Sequence, residues 1–283
     1  MKALLAASAD RPSTASILDR VRRVVAAHAE IVAETSIEAT ELPPNLHFDR
    51  LVAVGGDGTL ISQVRRVIDR GVPLVGVNSG RLGFLAEFDA ETLEREAVRI
   101  FGPSPLIRQR MVLDVSVRRR DGEPVFQGIA VNDAVVTSGV PFRMIELQIG
   151  FSGQAGPDIA GDGVIVASPL GSTAYSVSAG GPIVHPDVEA LIVTPVCPHS
   201  LAFRPIVIPS HTDVTISVER ANPGTSLVLD GQTNVRLALG DIVIVGRHQS
   251  VARLIGNPDV TYWQQLLSKM RWAAPPSYRD RGI

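Results

Sequence analysis

The sequence predicts two domains: an α/β N-terminal domain with a parallel sheet, followed by a β-rich C-terminal domain. In the first hundred residues, short apolar runs alternate with stretches whose apolar residues recur at the spacing of one helix face. Beyond Gly102–Pro105, apolar and polar residues alternate with a period of two, as in strands that bury one face. A chain of 283 residues is long enough for two such domains.

The N-terminal elements follow the order of a parallel sheet, in which a helix leads from each strand to the next. Pro12 can begin the first helix, Gly71 can end the second, and Asp89 can cap the third. The predicted elements are the strand 2–8, a helix through 17–25, the strand 51–54, a helix through 60–68, the strand 74–77 and a helix through 93–101.

The second domain is predicted to consist mainly of strands. The alternation is clearest in 111–118, and a hairpin turn at 120–123 follows it. Further strands are predicted near 125–131, 144–151, 163–168, 213–219, 225–230, 242–246 and 251–255, and a last helix through 260–270. The predicted domains are 1–105, an α/β domain with a glycine-rich turn, 106–255, a β-rich domain, and 256–283, a C-terminal helix and tail that pack back on the N-terminal domain.

The overall charge and hydropathy exclude two classes of partner. The net charge is −2 and the pI about 6.3, so no basic field favours nucleic acid or an anionic membrane surface. No apolar run approaches the roughly 20 residues of a membrane span, and the N-terminal run is too short for a signal peptide. We therefore expect a soluble cytoplasmic protein.

Two residue types are scarce enough to exclude particular chemistry. Cys197 is the single cysteine, so an intrachain disulfide and a thiolate zinc cage are impossible, and we expect a buried, inert thiol. The only lysines are Lys2 and Lys269, and neither stands where a Walker A loop or a protein kinase needs one. If the protein transfers phosphate, it does so without those devices.

The first candidate site is the turn Gly55–Thr59, which joins the end of a predicted strand to a predicted helix. Ligands bind at this edge of open α/β sheets, where free N–H groups and the helix dipole favour anions. Glycines let the backbone approach a phosphate closely. Asp57 within the turn can accept a hydroxyl proton or face Mg²⁺. The alternative is an ordinary tight turn in which Asp57 caps the helix.

The second candidate site is the stretch Asp162–Pro182, which is dense in small and hydroxyl residues. Ser172 or Thr173 can cap a short helix whose N–H groups face a ligand. Small residues leave room for a flat ring, and Tyr175 can pack against a ribose or a base. The alternative is a Ser/Thr turn followed by a closely packed helix.

The third candidate site is the pair Asn132-Asp133, which interrupts an apolar stretch. Buried polar side chains need hydrogen-bond partners. A ribose diol would supply them, since a carboxylate accepts two hydroxyl bonds and an amide both donates and accepts. The alternative is a turn at the end of a strand.

Together these motifs resemble the NAD kinase family over most of the chain. The turn alone is weak evidence, since lipid kinases and phosphofructokinases carry similar loops, whereas Asp162–Pro182 separates NAD kinases from them. The resemblance rests on Gly55–Thr59, Gly80–Leu85, Asn132-Asp133, Arg143–Glu146, Asp162–Pro182, Pro198–Ser200, Arg204–Val207, Asp230–Gln232 and Trp263–Trp272.

The resemblance implies that NAD binds between an α/β domain and a β-rich domain, and that the γ-phosphate of ATP passes to the 2′-hydroxyl of the adenosine ribose. It implies that Asp57 is the proton acceptor. The phosphate loop would be Gly55, Gly56, Gly58 and Thr59. The substrate-binding residues would be Asp57, Gly58, Asn132, Asp133, Arg143, Asp162, Thr173, Ala174, Tyr175, Ser176, Ser178 and Gln232.

The resemblance further implies Mg²⁺ carried by ATP, with no metal ligand assigned on the chain, and a homodimer or homotetramer in which a neighbouring subunit completes the site. Polyphosphate as donor and NADH as acceptor stay open. Relatives often have arginine at two positions where this chain has Ser62 and Ala160; Arg65 and Arg66 are candidates to replace the first. The competing readings are a lipid or sugar kinase and a non-catalytic dinucleotide sensor.

Overall fold

The structure, a computed structural model, describes residues 1–8, 12–39, 42–78 and 83–270. The chain divides into two compact units. The first comprises residues 1–108 together with the described residues from 253 onward, and the second comprises Gln109–Ala252. No helix in the described part of the chain is long and apolar enough to cross a membrane.

The first unit contains a parallel sheet with the strand order β2-β1-β3-β4. Three helices connect or follow these strands, as the sequence predicts, but the edge strand β2 was not predicted. The elements are β1 (Lys2–Ala7), α1 (Pro12–His28), β2 (Glu30–Ser36), β3 (Arg50–Val54), α2 (Asp57–Val67), β4 (Leu74–Val77) and α3 (Ala90–Ile100).

The helical stripes of the sequence form the core of this unit. Val21 and Val25 of α1 and Leu93 of α3 are buried with Val52 of β3 and Val75 of β4. The predicted cap of α3 is confirmed as a capping box: the Asp89 carboxylate accepts the N–H groups of Glu91 and Thr92, and the Thr92 hydroxyl accepts the N–H of Asp89.

The second unit consists mainly of antiparallel strands. The boundaries between the units fall within two strands, the first and the last of the thirteen elements named in the next sentence. Its elements are β5 (Ile107–Arg118), β6 (Pro124–Ala130), β7 (Asp133–Thr137), β8 (Ile145–Phe151), β9 (Gln154–Gly161), β10 (Gly163–Ala167), α4 (Tyr175–Ser178), β11 (Ala190–Val196), β12 (Ile206–Pro209), β13 (Val214–Arg220), β14 (Ser226–Leu229), β15 (Thr233–Arg236) and β16 (Ile242–Ile255). One further helix, α5 (Tyr262–Met270), belongs to the first unit.

Within the second unit, six strands form a sheet with the order β12-β11-β10-β7-β14-β15. A further antiparallel set, β16-β13-β8-β9, shares one hydrophobic core with this sheet. Because β10, β7 and β14 are neighbours, the segments that precede or follow them meet at the two ends of this sheet. The predicted fold class, α/β followed by β-rich, is confirmed.

One expectation about a single residue is wrong. Cys197 is exposed, not buried. It follows the last residue of β11 and adopts a left-handed backbone conformation with φ of 45°. The chain therefore leaves the sheet at this residue, and the thiol faces solvent.

Candidate active site

The glycine-rich turn lies where the sequence predicts it, at the carboxyl end of a parallel strand. The N–H of Gly55 donates to the carbonyl of Val77 at 2.9 Å, which links the ends of β3 and β4. Gly56 precedes the first residue of α2, and its carbonyl accepts the N–H of Thr59 at 2.9 Å. A Cβ at Gly55 would lie 2.4 Å from the Thr59 hydroxyl, so this turn requires glycine. The turn lies at the N-terminus of α2, where the helix dipole favours an anion.

The Asp57 side chain binds a second loop rather than its own helix. Its Oδ2 accepts the N–H of Phe84 at 2.8 Å, and its Oδ1 accepts the N–H groups of Leu85 at 3.0 Å and Ala86 at 3.2 Å. No side-chain bond caps α2 at Gly56. The alternative interpretation, Asp57 as a helix cap, is therefore wrong.

The loop that binds Asp57 is itself held in place. A Cβ at Gly83 would lie 1.9 Å from Asp57 Oδ1, so the loop approaches the carboxylate as closely as glycine allows. Glu87, which follows this loop, accepts the N–H of Asn257 at 2.7 Å and pairs with Arg108 at 2.8 Å. The motif residues Gly80, Arg81 and Leu82 lie outside the described residues.

One of the two arginines that follow the turn on α2, Arg66, is bound to a neighbouring strand. Arg66 donates from Nη1 to the carbonyl of Ser36 at 3.2 Å and from Nη2 to the Thr35 hydroxyl at 3.2 Å, so its guanidinium is bound at the end of β2. The Ser62 hydroxyl donates to the carbonyl of Thr59 at 2.7 Å, within α2. Arg66, one of the two candidates to replace the arginine that relatives have in place of Ser62, is thus held at the end of β2.

The second group of predicted residues converges at one end of the six-stranded sheet. Asp133 opens β7 and pairs with Ala167, the last residue of β10. Asp230 follows β14, and its N–H donates to the carbonyl of Asp133 at 3.0 Å. Three segments distant in the sequence thus meet at the start of β7.

The stretch after β10 packs closely on Asn132. The N–H of Ser168 donates to the carbonyl of Asn132 at 2.8 Å, and the Ser168 hydroxyl donates to the carbonyl of Val131 at 2.7 Å. A Cβ at Gly171 would lie 2.0 Å from the Asn132 carbonyl oxygen. Only glycine allows the backbone of this stretch to approach the turn so closely.

Asp133 is a buried carboxyl group, with a relative accessibility of 4%. Burial raises the pKa of Asp133 to about 7, and the nearby charge of Asp230 adds to this increase. The N–H of Tyr175 hydrogen-bonds to the carboxyl group and opposes the shift. Asp133 can therefore be neutral or charged near neutral pH, which allows it to donate as well as accept.

In the short helical segment after Gly171, some of the predicted substrate-binding residues are exposed to solvent and others are buried. Tyr175 is 47% exposed and Ser178 is exposed. Ser176 is fully buried, and its hydroxyl pairs with that of Thr194 at 3.0 Å. The Thr173 hydroxyl donates to the carbonyl of Leu170 at 3.2 Å, and the half-buried Ala174 ends this turn.

Asp162 and Arg143 lie at the other end of the sheet from Asp133. Asp162 precedes β10, and its carbonyl accepts the N–H of Ser138, which follows β7. The five residues of β10 separate this end from the Asp133 end, about 17 Å at 3.3–3.4 Å per residue. Arg143, in the segment after Ser138, is exposed. Gln232 lies at the Asp133 end, in the turn between β14 and β15.

Two contributors to these sites were not predicted from the sequence: the N–H groups of 84–86, and the carboxylate of Asp230. Asp230 accepts the N–H groups of Val131, Asn132 and Asp133. Its place in the motif Asp230–Gln232 was visible in the sequence, but its partners lie 97–99 residues away.

Two family models match the chain: the ATP-NAD kinase N-terminal domain over residues 2–103, and the ATP-NAD kinase C-terminal domain over residues 131–256. Together they cover most of its length. The chain belongs to the ATP-NAD kinase family. The resemblance found in its motifs is confirmed, and with it a kinase class of enzyme.

Individual NAD kinases are similar in sequence to this chain over most of its length. The NAD kinase of Geobacter metallireducens is 38% identical over 254 residues, 89% of each chain. The NAD kinase of Magnetococcus marinus is 40% identical over 225 residues, which is 80% of this chain and 74% of the relative.

Solved structures of the family share the fold. An NAD kinase from Archaeoglobus fulgidus in complex with ATP matches with a TM-score of 0.75 and 27% identity, covering 96% of this chain and 99% of that chain. The yeast NADH kinase complexed with NADH matches with a TM-score of 0.85 and 23% identity, over 99% and 89% of the two chains.

Proposed function

We propose that the protein transfers the γ-phosphoryl group of ATP to the 2′-hydroxyl of the adenosine ribose of NAD⁺, producing NADP⁺. The observation that carries this proposal is the glycine-rich turn that opens α2, with the Asp57 carboxylate fixed beside it by three N–H donors. Membership of the ATP-NAD kinase family supports the choice of substrates.

Asp57 is proposed as the proton acceptor. The O2′–P bond forms as the bond from the γ-phosphorus to the bridging oxygen breaks, ADP leaves, and the hydroxyl proton passes to the Asp57 carboxylate. A carboxylate offers about four acceptor positions, and three N–H donors leave about one for a hydroxyl. Because phosphoryl transfer passes through a loose transition state, orienting the hydroxyl matters more than strong basicity.

The turn Gly55–Thr59 is proposed to receive phosphate oxygens, since its N–H groups lie at the positive end of α2. Mg²⁺ fits as an ion that enters with ATP, because it favours substrate phosphates and retained waters over a cage of side chains. Among the described residues, no three His, Cys, Asp or Glu side chains are arranged to hold a metal ion. When bound, the ion would neutralise charge on the transferred group.

The dinucleotide is proposed to bind at the Asp133 end of the six-stranded sheet. The residues that would contact it are Asn132, Asp133, the segment Thr173–Ser178 and Gln232. Tyr175 is half exposed, so its ring can pack against the base or ribose. Asp133 can hydrogen-bond a ribose hydroxyl or the edge of a base. We propose that residues 1–105 form the domain that contains the phosphate loop, and that residues 106–255 form the domain that binds the dinucleotide. The C-terminal segment 256–283 is proposed to pack on the N-terminal domain.

Asp162 and Arg143 are proposed to act on the site of a second copy of the chain. In one chain they lie at the opposite end of the sheet from Asp133, about 17 Å away along β10. One dinucleotide end group cannot contact both ends of this sheet in a single subunit. A homodimer or homotetramer in which a neighbouring subunit supplies Asp162 and Arg143 resolves the separation.

The deciding experiment supplies NAD⁺, ATP and Mg²⁺ to the wild type and to Asp57→Asn, and follows NADP⁺ with an NADP-specific dehydrogenase. The variant should bind NAD⁺ and lose about 10²- to 10⁴-fold in kcat. Asp121→Asn, in the exposed hairpin turn between β5 and β6, is the matched control and should behave as wild type.

Other outcomes separate the alternatives. Asp57→Asn within about threefold of wild type would remove Asp57 from the mechanism. Wild type that binds NAD⁺ without turnover would indicate a non-catalytic sensor, and wild type that does neither would direct the search to lipid or sugar acceptors. Parallel assays with polyphosphate and with NADH identify the donor and the acceptor redox state.

A further inference from the structure

The Asp230 carboxylate accepts hydrogen bonds from three consecutive N–H groups of the turn that leads into β7. Its Oδ1 accepts from Asn132 at 2.7 Å and from Asp133 at 3.1 Å. Its Oδ2 accepts from Val131 at 2.9 Å. Hydrogen bonds to an ionised acceptor are roughly twice as strong as neutral ones, so this one side chain fixes three consecutive peptide groups.

The backbone around Asp230 is built for this contact. Asp230 has φ of 50° and Gly231 has φ of 66°, a left-handed turn directly after β14. Among residues with a side chain, aspartate and asparagine tolerate this conformation best. The N–H of Asp230 also donates to the carbonyl of Asp133, so the two segments are joined in both directions.

We infer that Asp230 is a positioning residue for the dinucleotide site, holding Asn132 and Asp133 through their backbone N–H groups so that their side chains meet the substrate in one fixed orientation. This inference rests on the proposed function of that site. Asp230 acts through the turn, whereas Asn132 and Asp133 are the residues proposed to contact the dinucleotide.

The charge of Asp230 acts on Asp133 in addition to the hydrogen bonds, and substitutions can separate the two effects. A negative group beside Asp133 favours the neutral form of that carboxyl group, in the same direction as burial does. Asparagine at position 230 keeps an acceptor oxygen and tolerates the left-handed turn, but it carries no charge. Glycine at 230 removes the side chain and relaxes the backbone at positive φ.

The test compares Asp230→Asn and Asp230→Gly with wild type by steady-state kinetics for both substrates. Asp230→Gly should raise KM for NAD⁺ about 10- to 100-fold, because the contacting side chains lose their fixed orientation. Its KM for ATP should change by less than about threefold, since the glycine-rich turn belongs to the first unit. Asp230→Asn should raise KM for NAD⁺ by less than Asp230→Gly does, because its amide oxygen still accepts the N–H groups of Asn132 and Asp133, whereas its NH₂ group cannot accept that of Val131.

A merely structural role would give a different pattern. It would lower the melting temperature and the active fraction of Asp230→Gly while leaving both KM values of the folded enzyme unchanged. That result, or an Asp230→Asn variant as impaired as Asp230→Gly, would overturn the inference. Failure of the proposed function is distinct, because it shows in wild type as the absence of NADP⁺ formation.

Discussion

Replacing Asp133 by asparagine removes a buried carboxyl group and keeps its size. The wild-type side chain is almost fully buried, and burial together with the charge of Asp230 raises its pKa from 3.8 to about 7. An asparagine amide does not ionise between pH 3.8 and 7. The stability of the variant therefore gains no pH dependence from burial at this position or from the charge of Asp230. The oxygen of that amide can still accept the N–H of Tyr175. The two proteins should therefore differ in how their stability depends on pH.

The sign follows from proton binding. Between pH 3.8 and 7 the folded wild type keeps a proton that the unfolded chain has released, so wild-type stability falls as the pH rises and levels off above pH 7. The full loss is about 4 kcal/mol, since one pKa unit corresponds to about 1.4 kcal/mol. From pH 5 to pH 8.5 the loss grows by about 3 kcal/mol. Asp133→Asn should not show it.

Hydrogen exchange of peptides that cover β7 measures this difference in the second unit directly. Comparing wild type with Asp133→Asn at each pH cancels the intrinsic pH dependence of exchange. Asp230→Asn is the control for the charge contribution, and its slope should be shallower than that of wild type. A difference in stability between wild type and Asp133→Asn that stays constant from pH 5 to pH 8.5 would refute the reasoning.

Two further predictions concern the first unit and the oligomer. Gly83→Ala should lower kcat by about tenfold or more, because its Cβ would fall 1.9 Å from Asp57 Oδ1 and displace the loop that holds the carboxylate; an unchanged kcat would contradict this. Asp162→Ala should lose activity if Asp162 completes the partner subunit's site, and mixing it with Asp57→Asn should then restore about one quarter of wild-type activity in a dimer, since a mixed pair forms one complete site. No recovery after subunit exchange would place Asp162 in its own subunit's site or outside the site.

Much of the first unit could be predicted because its signals are local. Helical stripes and the glycine-rich turn appear within a few residues of each other, and Asp89 caps the helix that directly follows it. The strands that escaped prediction lack a clear period. β9 is a largely exposed strand that contains Gly156 and Pro157 and one large apolar residue, Ile159, and β7 begins with the polar residue Asp133.

Most residues of the candidate site could be predicted from the sequence, but the hydrogen bonds between them could not. Asp57 was recognised from the turn, but its three N–H partners lie 27–29 residues further along the chain. The bonds of Asp230 span almost a hundred residues. Such pairings depend on which strands become neighbours, and composition and periodicity do not determine that order. Cys197 was predicted wrongly because a free thiol behaves as a small apolar side chain on average, whereas here the chain leaves the sheet at that residue.

The first unit is assembled from both ends of the chain, and this affects the order in which the protein can fold during synthesis. Leu254 pairs with Leu74 at the edge of β4, and the N–H of Asn257 is bound by Glu87, next to the loop that holds Asp57. These residues are translated after all of Gln109–Ala252, a delay of about 10–30 s at typical ribosomal rates. During synthesis the edge of β4 therefore stays unpaired until the second unit has been translated, and the contact of Glu87 with Asn257, beside the loop that orients Asp57, forms only after that.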